Sequence, residues 1–541
     1  MRLAMRSDHR KKILVVGAGM SGLTAGNYLL RSGFKVHILE KSSAGGGLVS
    51  SFLKDGFLFD TGPKAIGNAG ILMPMLEDLN IDLPLVKVEV STGIRDYIVH
   101  YNSHADIDYF VDSLRMLFPE NSDDIVKIDR YIHSYTGMTK TLNKIANPFF
   151  KNILKDRGYL FKELIPWLPS FFSVVLRTSL FHQSMEELLG SVTTNQSLID
   201  MVSQHFLKGT PADFALGYFE NFQDYMYPLG GTAELPASLA GKITREGGII
   251  QNNTEIVGVN PVARKLTDQN GEEYTYDMLL WAADLKSLYK KLDYLSCPPE
   301  LQRSIEQESE NYCSVKSGES VFSLFLAVDI TPEIFRKISR GHHIYTPRLK
   351  GLGELHRKQL ERIKVEWNGI RKEELFTWLE SFCKYNSYEI SIPVLKDESL
   401  APASQSGLII SLLFDGELFE LVEKAGWYEE FRERTTKYML DTLEQSIYPR
   451  LKEKTLFMQS ATPLTLLKMF NTANGAITGW SLEEEVPVPN SLTGILGTVK
   501  TAIPRVFKAG QWSYSPSGVP IAILTGRIAA AAIQRKARGV I

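Results

Sequence analysis

Six residues near the start of the chain, Gly17-Ala18-Gly19-Met20-Ser21-Gly22, permit few folds. They follow the apolar run Ile13-Leu14-Val15-Val16 and open a helix-prone stretch, after which Lys35-Val36-His37-Ile38-Leu39 ends at Glu40. Strand, tight glycine turn, helix and second strand make one βαβ unit of a parallel sheet. Gly17 allows the turn, Gly19 lets backbone approach a pyrophosphate, and Gly22 lets helix and strand pack closely, so the phosphates meet a helix N-terminus. Glu40 closes the second strand, where a carboxylate accepts from both ribose hydroxyls and repels a 2′-phosphate, which argues against NADP. A lone GxGxxG also marks ordinary turns; the strand, helix, strand and acid in register make this one specific.

Glu40 runs into Lys41-Ser42-Ser43-Ala44-Gly45-Gly46-Gly47-Leu48, and Gly56-Phe57-Leu58-Phe59-Asp60-Thr61-Gly62-Pro63 follows. A glycine pair just after the acid is what a second backbone approach, to the pyrophosphate and ribityl chain, needs; alone it also reads as a loop before a hairpin. Together these segments resemble the amine-oxidase-like FAD superfamily, and Phe59-Asp60-Thr61-Gly62-Pro63 resembles its phytoene desaturase branch. That branch includes bacterial carotenoid desaturases, carotenoid cis-trans isomerases and retinol saturases. The resemblance implies FAD as cofactor, with Gly17, Gly19, Gly22, Glu40, Lys41, Gly46, Gly47, Leu48 and Gly62 among the residues that hold it.

Later segments fit the same branch. Tyr227-Pro228-Leu229-Gly230-Gly231-Thr232 through Gly247-Gly248 and Asn253-Thr254-Glu255-Ile256 resembles a block that lays a strand against the adenine, with Ile256 as the contact. The stretches from Ser406 to Leu413 and from Gly475 to Trp480 resemble parts of the substrate region. Near the C-terminus, Ala509-Gly510-Gln511-Trp512 and Ser517-Gly518-Val519-Pro520 precede an Ala-rich helix and are expected to close over the reactive ring, through Gly510, Gln511, Gly518, Val519 and Pro520. Two departures bear on the reaction. Leu48 stands where many carotenoid desaturases carry Arg after the glycine pair, an Arg that retinol-saturase-like and isomerase-like members also lack, and the C-terminal block lacks the Gly-Asp of the wider superfamily.

The expected fold is α/β, a Rossmann-type FAD-binding domain with a discontinuous α+β substrate domain. Segments 11–90, 226–300 and 485–541 build the first; 91–225 and 301–484 build the second. In the latter, Val321 to Val328 and Gly407 to Phe414 read as buried strands, and the charged stretch Glu354 to Lys372 between them reads as helical, which suggests a sheet with helices on one face.

Segment 147–189 has the most unusual composition. Leu164 to Leu176 carries no charge and holds Trp167, Phe171 and Phe172, while Lys151, Lys155, Arg157, Lys162 and Arg177 flank it. Read as broken by Pro166 and Pro169, it is too short to span a bilayer, but it suits a membrane interface; the alternative is a lid or tunnel wall. No other stretch offers roughly 20 apolar residues, and the basic N-terminus lacks the apolar core of a secretory signal. A cytoplasmic protein is expected, peripheral on the inner face of a membrane. Three scattered cysteines, Cys297, Cys313 and Cys383, fit a reducing compartment. A net charge of −2 gives no general attraction to nucleic acid. His342-His343 lacks further ligands nearby, so a turn or strand-edge role is expected and no metal site.

The flavin supplies the redox step, so the protein's part is to position a substrate carbon and exclude water. The resemblance implies a long apolar isoprenoid or polyene lipid, oriented by an apolar tunnel. No catalytic acid or base is identifiable; Tyr227, Trp480, Trp512 and Tyr514 stand beside motif glycines, where they either line the flavin or pack. With no second dinucleotide fingerprint, electrons leave to an external acceptor such as a quinone or oxygen. Desaturation is the first expectation; isomerisation or saturation, suggested by Leu48, amine oxidation, and non-catalytic lipid binding are the alternatives.

Overall fold

The structure, a computed structural model, describes residues 10–103, 105–151, 153, 155–178 and 181–539. The basic N-terminal run up to residue 9, positions 152, 154, 179 and 180 of the apolar segment, and residues 540–541 lie outside it.

A five-stranded parallel sheet forms around the glycine motif, in the order Ile249–Gln251, Lys35–Leu39, Lys12–Val16, Met278–Trp281, Val506–Lys508. Its central strands are apolar on both faces because layers cover both. Helix Met20–Arg31 and the C-terminal helix Val519–Ala537 pack together on one side. They approach closely because Gly526 carries no side chain: a Cβ there would lie 2.4 Å from the Ser21 carbonyl oxygen, while a Cβ on Gly22 would lie 2.0 Å from the Gly17 carbonyl oxygen in the turn that opens the first helix. The strand order reverses between Lys12–Val16 and Met278–Trp281, and the crevice beyond their C-terminal ends is where open sheets of this kind take ligands.

A seven-stranded mixed sheet forms the other half, in the order Thr455–Ala461, Ser320–Val328, Ser406–Phe414, Tyr388–Ser391, His342–Thr346, Val90–Ile94, Tyr97–Tyr101. Side chains alternate across it, as the two-residue strand period requires. Phe322, Leu324 and Leu326, with Ile410, Leu412 and Phe414, pack against helices Lys372–Tyr385, Gly416–Lys424 and Tyr428–Glu444. Toward the opposite face, Val321, Ser411, Leu413, Glu389, Ile344 and His342 border a cavity. The hairpin of Ser51–Lys54 and Phe57–Asp60 packs Phe57 and Phe59 on Phe325 and Ile409 of the seven-stranded sheet, with Phe59 edge to face on Phe325. The fold is α/β, a Rossmann-type sheet with an attached α+β part.

The apolar segment departs from the sequence reading. Its prolines do not break it: residues Arg157–Thr178 form one helix with Pro169 inside, long and apolar enough by length and composition to cross a membrane. A π-turn at Leu160–Leu164 widens the helix just ahead of Pro166 and Pro169, where their rings would otherwise meet preceding carbonyls. The helix lies along Ser122–Leu142, anchored by Trp167, whose Nε1 donates to the Thr141 carbonyl at 2.9 Å. Only 11% of its apolar window is buried, and Phe161 and Phe172 are exposed at 63% and 56%. It is thus neither a core helix nor a tunnel wall.

Candidate functional site

A cavity of about 520 Å³ opens at the C-terminal ends of Lys12–Val16 and Met278–Trp281 and extends to the seven-stranded sheet. Gly17 and Gly19 border it at the turn into the first helix. Gly19 is the helix N-cap, with extended backbone and no side-chain cap, so the first amide groups of the helix are left for a ligand. A Cβ there would meet nothing within 4 Å, which leaves an open cradle for a pyrophosphate. Gly22 stands behind the turn, in the helix–strand contact. Across the cavity, Gly518 caps the C-terminal helix, again without a side-chain partner and without an acidic residue in the first turn. Two positive helix ends therefore face one space.

Glu40 is nearly buried at the rim. One carboxylate oxygen accepts the Ala18 amide at 2.6 Å and the other the Ser42 amide at 2.8 Å, so the group is fixed while each oxygen keeps a lone pair for a ribose hydroxyl. Lys41 borders the cavity beside it and pairs with Glu255 at 3.5 Å; Ile256 is there too, 3% exposed. Gly46 has φ +124° and donates to the Ala18 carbonyl, which brings Gly47 and Leu48 onto the cradle. A Cβ on Gly62 would lie 1.8 Å from the Leu48 carbonyl oxygen. Gly510, Gln511 and Val519 complete the wall, whereas Pro520 sits in the first turn of the C-terminal helix outside it.

Asp60, in the same motif as Gly62, is a structural knot. Fully buried, it accepts from the Ser51 and Thr232 hydroxyls, the Thr232 amide and the Tyr227 hydroxyl, all within 2.8 Å. This tie withdraws Tyr227 from the flavin face, and Tyr514 is likewise packed in the core; Trp480 and Trp512 do border the cavity, edge to face at 4.8 Å. His342 and His343 are not at a strand edge: their strand pairs on both sides, and burial pushes their imidazoles down to about 4 and about 3.

The sequence reading missed a charged cluster on the sheet side of the cavity. Lys64, just after Gly62-Pro63, places Nζ 2.9 Å from Glu389 Oε2, and His342 Nε2 lies 3.7 Å from Oε1. Lys396 Nζ donates to the Lys64 carbonyl and to Ser391 Oγ. Burial alone would raise the Glu389 carboxyl, but the ammonium of Lys64, with His342 and Lys396, holds it below the usual carboxylate range. Burial lowers Lys396 to about 8 against the attraction of Asp60 and Glu389. The only available signal was a lone acid in the strand-like run Tyr388-Glu389-Ile390-Ser391-Ile392.

The sequence pattern of the flavin containing amine oxidoreductases matches residues 20–534. Among curated proteins the chain is similar to an inactive all-trans-retinol 13,14-reductase of Danio rerio, 23% identical over 84% of this chain and 75% of the relative. It is also 23% identical to a phytoene desaturase of Fusarium fujikuroi, over 97% of this chain and 89% of the relative, and to prolycopene isomerase 1 of an Oncidium hybrid cultivar, over 95% and 82%. Among solved structures, a putrescine oxidase triple mutant superposes with a TM-score of 0.59 at 14% identity, covering 97% of this chain and 99% of that one.

Proposed function

Because the chain belongs to the family of flavin containing amine oxidoreductases and its cofactor is FAD, we propose that it oxidises a long apolar isoprenoid or polyene lipid, introducing a double bond and passing the electrons to an external acceptor such as a quinone or oxygen. The observation that carries this reading is the continuity of one cavity from the dinucleotide cradle to a wall that includes Phe214, Val321, Leu413, Leu466 and Phe470. Such a wall orients a chain that has no polar handle near its reacting carbons. The desaturase, the isomerase and the inactive retinol reductase named among the relatives support the same class of substrate.

The residues divide the work. Gly19 and Gly518, as uncapped helix ends, hold the pyrophosphate; Glu40 receives the ribose; Gly46, Gly47 and Gly62 let backbone approach the rest of the cofactor. Bound there, FAD supplies a hydride acceptor. The apolar walls exclude water, and Trp480 and Trp512 form a rigid aromatic corner. The exposed face of Arg157–Thr178, with Arg157, Lys162 and Arg177 beside it, suits a membrane surface, from which an apolar substrate is drawn.

Leu48 favours a second reading, in which reduced flavin isomerises or saturates an existing double bond. Anaerobic incubation with a polyene, once with a quinone and once with dithionite, separates them. Product lighter by two hydrogens only with quinone is expected. Unchanged or heavier product only after reduction replaces desaturation by isomerisation or saturation, and turnover of an amine but of no polyene overturns the lipid reading.

A further inference from the structure

Resting on the lipid reading, one feature of the cavity narrows the substrate. An apolar tunnel has no use for a carboxylate, yet Glu389 enters this one from the Tyr388–Ser391 strand, in register opposite Ile344 and on the same side as Ser391. Its side chain keeps 40% exposure, although Lys64 and His342 beside it keep 7% and 6%. Glu389 is among the residues that border the cavity. Oε2 is committed to Lys64; among the described residues no hydrogen bond reaches Oε1, with His342 Nε2 beyond hydrogen-bond length.

We propose that Glu389 Oε1 receives a hydrogen bond from a hydroxyl group on the substrate, so that the lipid taken by this cavity is an alcohol rather than a bare hydrocarbon. An ionised carboxylate is an acceptor only, so the matching group is a donor. The choice between a hydroxyl and an ammonium follows from the surrounding charge. Lys64 already neutralises Glu389, and the ammonium of Lys396, tied to the Lys64 carbonyl, adds positive potential; His342 is neutral near pH 7 because burial lowers it to about 4. A second cation would meet two lysines around one carboxylate, whereas a neutral hydroxyl meets no such repulsion. The lysine pairing also keeps Glu389 ionised in a site where burial would protonate it, which preserves its acceptor character.

The test uses the full-length FAD-loaded protein under anaerobic conditions, titrated with a C20 polyene alcohol and its methyl ether, with flavin absorbance as readout. The ether keeps the chain and the oxygen but loses the donor. The alcohol is expected to bind at least about tenfold tighter, as for a hydrogen bond to a charged group. That preference should vanish in Glu389→Leu, which has no acceptor, and in the Lys64→Met, Glu389→Leu double variant, which removes both charges and leaves no unpaired Lys64; FAD content and thermal unfolding like the parent's certify their fold. Equal binding of alcohol and ether by the parent overturns this inference while sustaining the lipid reading. A preference that survives both variants removes Glu389 from the role. Binding of neither probe overturns the lipid reading, and this inference with it.

Discussion

Gly19→Ala separates cofactor holding from fold stability. Gly19 has φ −74° and ψ −178°, extended backbone that alanine adopts, and the added Cβ would meet no atom within 4 Å. In FAD-free protein the change should cost about 0.5–1 kcal/mol, the difference between glycine and alanine at an N-cap. With FAD the methyl group stands between the helix amides and the pyrophosphate. Loss of one amide-to-phosphate hydrogen bond removes about 1.5–3 kcal/mol, which raises the Kd roughly 10- to 150-fold. Gly22→Ala is the contrast, since its Cβ would lie 2.0 Å from the Gly17 carbonyl oxygen and the fold itself must shift. FAD titration by flavin fluorescence, with thermal unfolding of both apoproteins, reads the two effects. A Gly19→Ala protein that binds FAD within threefold of the parent, or whose apoprotein is destabilised as much as Gly22→Ala, would refute the cradle.

Asp60→Ala strips the acceptor from two hydroxyls, a tyrosine and an amide in the core, so a loss of about 3–5 kcal/mol is expected in denaturant unfolding; a change under 1 kcal/mol would contradict the knot. Burial holds His205, His342, His343 and His356 at about 4, 4, 3 and 3, below their unfolded value near 6.5, so the unfolded chain binds more protons as pH falls. Stability present above pH 6.5 should therefore drain away between pH 6.5 and 4, by on the order of 1 kcal/mol per pH unit for each histidine; an unchanged melting temperature from pH 7 to 5 counts against it. Flotation with phosphatidylcholine–phosphatidylglycerol vesicles should be lost in Phe161→Ser combined with Phe172→Ser, because these rings, unlike Trp167, are exposed; equal flotation of parent and variant would exclude the helix as the docking face.

The difference between Glu40 and Glu389 explains which parts of this molecule were legible. Glu40 follows a strand, a glycine turn and a helix whose geometry is set by neighbours in the chain, so its position at a strand end is readable from spacing alone. Glu389 acquires its role from Lys64, 325 positions away, and from a strand pairing that no local pattern announces. In sequence, Glu389 and Ser391 alternate with apolar Tyr388 and Ile390, the pattern of a strand with one face in water. A cavity wall and a solvent-facing surface impose the same two-residue alternation, and only the elements that fold over the strand decide between them. The same holds for Arg157–Thr178. Its composition was plain, but whether Pro166 and Pro169 break the helix depends on the turn before them and on the Ser122–Leu142 helix against which Trp167 is fixed. Motifs that shape their own backbone could be read from the chain; charges and apolar faces took their meaning from partners supplied by the fold.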